Sequence, residues 1–293
     1  MFDTILISIA VLLRIFSNPL GNVFQKQLTE KGIQAGLVNF LTYFLLSIVI
    51  LVAMPFIAWQ HLGNDFWIYS MLVGLAGALG NGFLIKALQR GDLSVLGPIN
   101  SYKSVIGIIG GVILLAEIPN IWGMFGIVLI IFGSYFVLDT TRERFSLALF
   151  KNSGIQFRLW AMLLTAIEAV FIKKVILVSS AGIAFISWCC FGALFSFALL
   201  FIKPVNIKRE VMKIGYSGIG KTAFLVCCIG TMQFTTNYVF EHMAVGYALS
   251  LFQLSIIISV LLGQTVFKET DIHKKLVGSS FMILGSLLII LLK

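Results

Sequence analysis

Apolar residues run through this chain in long blocks, broken by short clusters of charge, proline or glycine. About 20 mostly apolar residues cross a bilayer core as one helix. In lipid a helix is the default, because it satisfies its own backbone hydrogen bonds. The blocks predict ten helices at 4–28, 33–58, 66–88, 92–115, 121–139, 156–178, 182–203, 216–240, 244–267 and 272–292. The longest polar break, DTTRERFSLALFKNSG at 139–154, divides them five and five.

The two halves echo each other. Shifted by 152 residues without a gap, the stretch 90–137 lands on 242–289. Gly111 then falls on Gly263, Glu117 on Glu269, Gly126 on Gly278, and Gly133-Ser134 on Gly285-Ser286. A shorter echo joins GNVFQKQ around Lys26 to EAVFIKK around Lys173. Five helices is an odd number, so the second copy enters the membrane from the opposite side. The expected fold is an all-α polytopic membrane protein of ten transmembrane helices in two inverted five-helix repeats. Residues 1–139 form the first repeat, 140–155 the linker and 156–293 the second repeat.

Composition agrees. With 59 % apolar and 11 % charged residues and a mean hydropathy of +1.02, the chain departs from soluble domains, where about a quarter of residues are charged. The net charge of +9 does not call for nucleic acid, because Lys and Arg collect at predicted helix ends. They concentrate in the odd-numbered connections, which by the positive-inside rule places those connections in the cytoplasm and both termini outside. The cysteines form two adjacent pairs, Cys189-Cys190 and Cys227-Cys228, without metal or redox spacing, and are expected to be packing residues. A signal peptide is not expected: MFDTILISIAVLLRIFSNPL has no basic n-region and holds Arg14 within its apolar run.

Charge at mid-membrane depth costs roughly 2.5–3.5 kcal/mol on insertion scales and faces a cavity or a partner. Arg14, Lys103 and Glu168 sit near the centres of predicted helices one, four and six. Lys103 and Glu168 are the expected ion pair, leaving a positive remainder, and Glu168 is the candidate proton carrier. Asn18 and Asn22 share the Arg14 face, Asn100, Ser104 and Gly107 flank Lys103, and Thr165 precedes Glu168 by one turn. Pro19 and Pro98 are positioned to interrupt their helices. Gln233, Thr236 and Asn237 on helix eight, with Tyr247, Ser250 and Gln253 on helix nine, supply neutral hydrogen-bonding groups that serve equally as interhelical glue. Trp188, Phe24, Tyr43 and Tyr102 are candidate pocket aromatics, although most of the 26 Phe must be packing or lipid contact.

Two other signals read as structure. Glu117 and Glu269 each precede a helix, whose positive N-terminal end they are expected to stabilise. G-Y-S-G-I-G-K-T at 215–222 satisfies the P-loop pattern, but it opens an apolar helix instead of following a strand, so no phosphate cradle is expected. His61, His242 and His273 lie near helix ends, and no nucleophile with a base, paired carboxylates or metal-ligand cluster appears. Neither an enzyme nor a cofactor is expected.

The segments R-G-D-L-S-V-L-G-P at 90–98, L-L-A-E at 114–117, G-x6-G-S at 126–134 and V-F-K-E at 266–269 resemble the EamA-like family of the drug/metabolite transporter superfamily. The resemblance implies a multi-pass cell-membrane transporter. Its central cavity is lined mainly by helices one, three, four, six, eight and nine, and helices five and ten are peripheral and available for a homodimer. It also implies cytoplasmic termini, against the charge count. The expected function is secondary transport of a small polar metabolite or drug-like solute, anionic or zwitterionic and favouring export, with uncoupled exchange or sugar-type uptake as the alternative. A scaffold without a solute is the reading from another class. The expected substrate-binding residues are Arg14, Asn18, Asn22, Asn100, Lys103, Ser104, Glu168, Gln233, Asn237 and Gln253.

Overall fold

The structure, a computed structural model, describes residues 2–52, 54–56, 59, 62–103, 105, 120–141, 151–202 and 206–292. Among them there is no strand. Eleven helices follow one another: α1 (Phe2–Glu30), α2 (Ala35–Ile50), α3 (Asn64–Arg90), the one-turn α4 (Leu93–Leu96), α5 (Ile121–Leu138), α6 (Ser153–Leu177), α7 (Ala181–Ile202), α8 (Ile207–His242), α9 (Val245–Phe252), α10 (Ser255–Phe267) and α11 (Ile272–Leu291). Seven stretches among the described residues are long and apolar enough to cross a membrane. The segment α6 is not one of them.

Several predicted boundaries change. The second block ends at Ile50, and the chain then makes a 3-10 turn over Met54–Phe56, where Pro55 lacks the N–H that would continue the ladder. The fourth block is not one helix: α4 gives way after Gly97 to a 3-10 segment, Pro98–Ser101. The ninth block is two helices, with i→i+3 bonds from Gln253 N to Ser250 O and from Leu254 N to Leu251 O, both at 3.2 Å. These interruptions coincide in the repeat, since Ser101 shifted by 152 residues is Gln253. The eighth block starts early, at Ile207, and bends at Gly215, whose φ of 58° only glycine adopts freely. Residues 216–222 of the P-loop-like stretch are helix, so no phosphate cradle forms.

The most extensive packing joins the halves: α1 on α8, α3 on α6, α2 on α7, and α5 on α11. The last contact is a glycine seam. A Cβ on Gly285 would lie 2.5 Å from Gly126 O, and one on Gly278 would lie 2.5 Å from Gly133 O. Gly126 repeats as Gly278 and Gly133 as Gly285, so the two crossings exchange under the repeat.

Helix α4 is held at both ends by the second half. The Glu269 carboxylate accepts Leu93 N at 2.8 Å and Ser94 N at 2.9 Å, and also the Ser94 hydroxyl. Lys26 bridges Glu269 at 3.0 Å and donates to Gly91 O at 3.0 Å, while Lys275 donates to Ser94 Oγ at 2.9 Å. At the other end, Arg158 Nε donates to Leu96 O at 2.7 Å. Glu269 therefore does not serve the helix that follows it, as its sequence position suggested. A left-handed Lys268 (φ 57°) closes α10 and turns Glu269 towards α4 instead. Glu117 lies outside the described residues. Two further carboxylates work in the same way, with Glu210 accepting Gln34 N at 2.9 Å before α2 and Glu241 accepting Ala181 N at 3.0 Å at the start of α7. Elsewhere Asn120, Asn152 and Asn206 cap their own helices.

Burial works to raise the Glu269 pKa, but Ser94, Lys26 and the two backbone N–H groups outweigh it and hold the carboxyl below the usual range. A depressed carboxylate stabilises the fold fully above its unfolded pKa of about 4.3, and that contribution is lost as pH falls through the lower folded value. Thermal unfolding in detergent should therefore fall more steeply below pH 4 in wild type than in Glu269→Gln, using ~4 as the edge of the carboxylate range. At pH 7, Glu269→Ala should cost about 3–5 kcal/mol, as expected when one partner of a buried pair is removed. Gly133→Leu places a side chain against the α11 backbone, and the same assay should show it destabilised by at least 1–3 kcal/mol, roughly the range for overpacking.

Candidate functional site

Between the halves lies a cavity of about 150 Å³, lined by Arg14, Asn18, Asn22, Tyr43, Asn81, Asn100, Lys103, Arg158, Glu168, Trp188, Gln233, Phe240 and Phe252 among others. Its charged groups arrive from three helices. Arg14 projects from α1, where Nε donates to Thr236 Oγ1 of α8 at 2.8 Å and the guanidinium sits 4.8 Å from the centroid of Phe252. Its Nη1 is buried without a partner among the described residues. Arg158 comes from α6, with Nη2 donating to Asn100 Oδ1 at 3.1 Å while Nε takes the end of α4.

Glu168 lies on the same helix. Its Oε1 accepts the Trp188 indole N–H at 2.6 Å. Gly77 makes that position possible, since a Cβ there would lie 2.8 Å from Glu168 Oε1 and 3.0 Å from the Tyr43 hydroxyl. The Tyr43 and Trp188 rings, 4.6 Å apart, form one wall. The expected Lys103–Glu168 ion pair does not form. Among the described residues no side chain ion-pairs or hydrogen-bonds Lys103, whose Cα lies just past the 3-10 segment. The pair is expected from mid-span depth in unbroken helices, and the 3-10 segment at Pro98–Ser101 breaks the helix on which that depth is counted.

Of the residues expected from sequence, Arg14, Asn18, Asn22, Asn100, Lys103, Glu168 and Gln233 line the cavity, together with Thr165 and Thr236. Asn237 is fully buried behind the wall, its amide facing that of Gln233 at 2.9 Å. Gln253 is buried at the break between α9 and α10 and is not on the wall. Ser104 and Gly107 lie outside the described residues. Tyr247 is exposed, and Ser250 donates to its own helix at Tyr247 O. Tyr43 and Trp188 reach the cavity, whereas Phe24 stacks on Phe224 and Tyr102 donates to Ser134. Helices α2 and α7 therefore contribute to the lining, beyond the six helices expected.

Sequence reading missed Arg158, Asn81, Phe240 and Phe252. Arg158 is the sixth residue of α6, too near a helix end for a criterion based on mid-span depth. The interruption of the fourth block brings its partners to it. A larger groove of about 840 Å³ runs between α1, α2, α7 and α8, but its lining is apolar and holds no charged residue, as a lipid-facing surface requires.

Residues 5–139 match the model of the EamA-like transporter family. The first half of the chain is thus similar to that family. Members of that family are multi-pass membrane transporters and not enzymes. No curated protein matches the sequence. A solved crystal structure, described only as that of a protein, is similar over 97 % of this chain and 97 % of its own, with a TM-score of 0.59 and 15 % identity. At that identity the likeness shows the fold alone.

The cation–aromatic and hydroxyl contacts of Arg14 predict a split between its two functions. Thr236→Val removes the partner of Nε and leaves Phe252 in place. Thermal stability should fall by about 1.5–3 kcal/mol, the range for a hydrogen bond to a charged group, as read by thermal unfolding in detergent.

Proposed function

We propose that this EamA-like protein is a secondary transporter that moves a small anionic or zwitterionic solute by alternating access around the central cavity. The observation that carries the reading is the charge imbalance of the wall, where Arg14, Lys103 and Arg158 face one carboxylate, Glu168. Charge kept at this depth marks a solute or ion path by default. A cavity of about 150 Å³ is smaller than the roughly 300–1,000 Å³ typical of drug-sized ligands, which favours a metabolite over a drug.

The architecture proposed for this function is ten spans in two inverted repeats, 1–139 and 156–293, joined by 140–155. Three features support it. The helix interruptions coincide under the 152-residue shift, the glycine crossings of α5 and α11 exchange under it, and α1–α8 packing is matched by α3–α6 packing. Lys26 and Lys173, paired by the shorter echo, each donate to the backbone at the end of another segment, Gly91 O and Phe240 O. Interrupted helices beside a central site are a recurrent transporter device. Trp122, Phe125 and Val128 on the free side of α5 remain exposed and apolar, as a homodimer contact through α5 and α11 would need.

A thermal-shift screen of the purified protein against organic anions, amino acids, nucleotides, sugars and amines should show its largest shifts with anions, and Arg14→Gln should abolish them. Shifts confined to amines or uncharged sugars would overturn the anionic reading. Glu168 is the proposed proton carrier. In proteoliposomes Glu168→Gln should lose accumulation driven by a pH gradient while keeping exchange down a solute gradient; unchanged pH-driven accumulation in the variant would remove Glu168 as the carrier, and no pH-driven accumulation in wild type would leave the uncoupled alternative.

A further inference from the structure

On the transport reading above, we infer that the solute of the central cavity is a compact hydroxycarboxylate, a small carboxylic acid that also carries a hydroxyl donor.

The cavity makes two opposite demands. Among the described residues, Arg14 has a buried guanidinium N–H without an acceptor, and Lys103 forms no ion pair. Arg158 is already committed to Leu96 O and Asn100. The free cationic donors therefore call for an anionic acceptor, which a carboxylate supplies with a charge-assisted pair of hydrogen bonds.

The amide side calls for a donor. Asn22 lines the cavity, and its Oδ1 is buried without a partner. Gln25, one turn further along α1, is completely buried and also leaves Oε1 unpaired. The donors nearby are already spent: Gln25 Nε2 on Asn81 Oδ1 at 3.1 Å, Asn81 Nδ2 on Asn39 Oδ1 at 2.7 Å, and Asn39 Nδ2 on Ala78 O at 2.8 Å. This amide relay starts from Gln25, which lies behind the wall, and none of its donors reaches Asn22, so among the described residues Asn22 Oδ1 is the wall acceptor with nothing to accept from. Buried polar groups in folded proteins are nearly always paired, so a leftover acceptor on a cavity wall points to a donor on the ligand.

An ammonium and a hydroxyl both donate, and charge decides between them. An ammonium would enter a space already occupied by Arg14, Lys103 and Arg158. Glu168, the one carboxylate among the described lining residues, is outnumbered by these three cations and accepts the Trp188 indole at Oε1. Like charges repel strongly where water does not screen them. A hydroxyl meets the amide oxygen without adding charge. Size narrows the class further, because an engineered protein cavity of about 150 Å³ admits benzene, so this one has room for a solute of about six or seven heavy atoms, as a three-carbon hydroxyacid has. Phe240 and Phe252 give its carbon skeleton an apolar wall.

A matched three-carbon series tests this on the purified full-length protein by calorimetric titration: glycerate, serine, propionate and glycerol. Glycerate should bind at least tenfold tighter than serine or propionate, and glycerol should not bind. Arg14→Gln should weaken glycerate and propionate alike, whereas Asn22→Ala should bring glycerate down to the level of propionate and leave propionate unchanged. The wild-type ranking needs no variant to fold. Serine or propionate binding as tightly as glycerate would overturn the inference while leaving the transport reading intact. If none of the four binds and the protein still carries another solute in proteoliposomes, the hydroxycarboxylate assignment fails alone. Absence of binding and of any solute flux removes both readings.

Discussion

A backbone N–H or C=O that loses its helix partner inside a membrane has no water to turn to, and the rest of this structure follows from how such groups are satisfied. Helix α4 is a single turn, too short to satisfy its own ends. Glu269 takes its N–H groups and Arg158 takes a carbonyl at its far end, both from the other half of the chain. Lys26 then neutralises Glu269. Glu210 and Glu241 do the same for the starts of α2 and α7. In a chain with 12 acidic residues, three are thus spent on helix starts in other segments, which explains charge in the interior before any substrate is considered.

The cavity is what this arrangement leaves in the middle. Arg158 links the two roles, since one edge of its guanidinium holds α4 and the other holds Asn100 on the cavity wall. Arg14 is tied to α8 through Thr236 and to the start of the second interruption through Phe252. The cavity wall and inter-half cohesion therefore use the same side chains. On α6 the polar side chains Arg158, Thr165 and Glu168 turn to the cavity, while Trp160, Ile167 and Val170 stay exposed on the outside.

Much of the helical scaffold was legible in the sequence, because apolar block length and the 152-residue echo are local and additive signals. Arg14, Asn18 and Asn22 could be grouped because α1 is unbroken and keeps its i, i+4 register. Lys103 and Glu168 could not be paired reliably, because the 3-10 segment at Pro98–Ser101 resets the direction of everything after it. The second interruption has no proline to announce it, and only its alignment with the first reveals it in the sequence. Glu269 was misassigned for a different reason. Its sequence neighbour is α11, but a left-handed turn aims it across the interface, and no local pattern encodes the partner of a non-local contact.

The glycine seam between α5 and α11 has a mechanical consequence. Side-chain contacts slide by changing rotamers, but where backbone meets backbone at Gly126–Gly285 and Gly133–Gly278 there is no rotamer to change. The seam fastens the last helix of one half to the last helix of the other. If the halves rock, these two helices form the axle and the cavity walls form the spokes. Displacement then grows with distance from the seam.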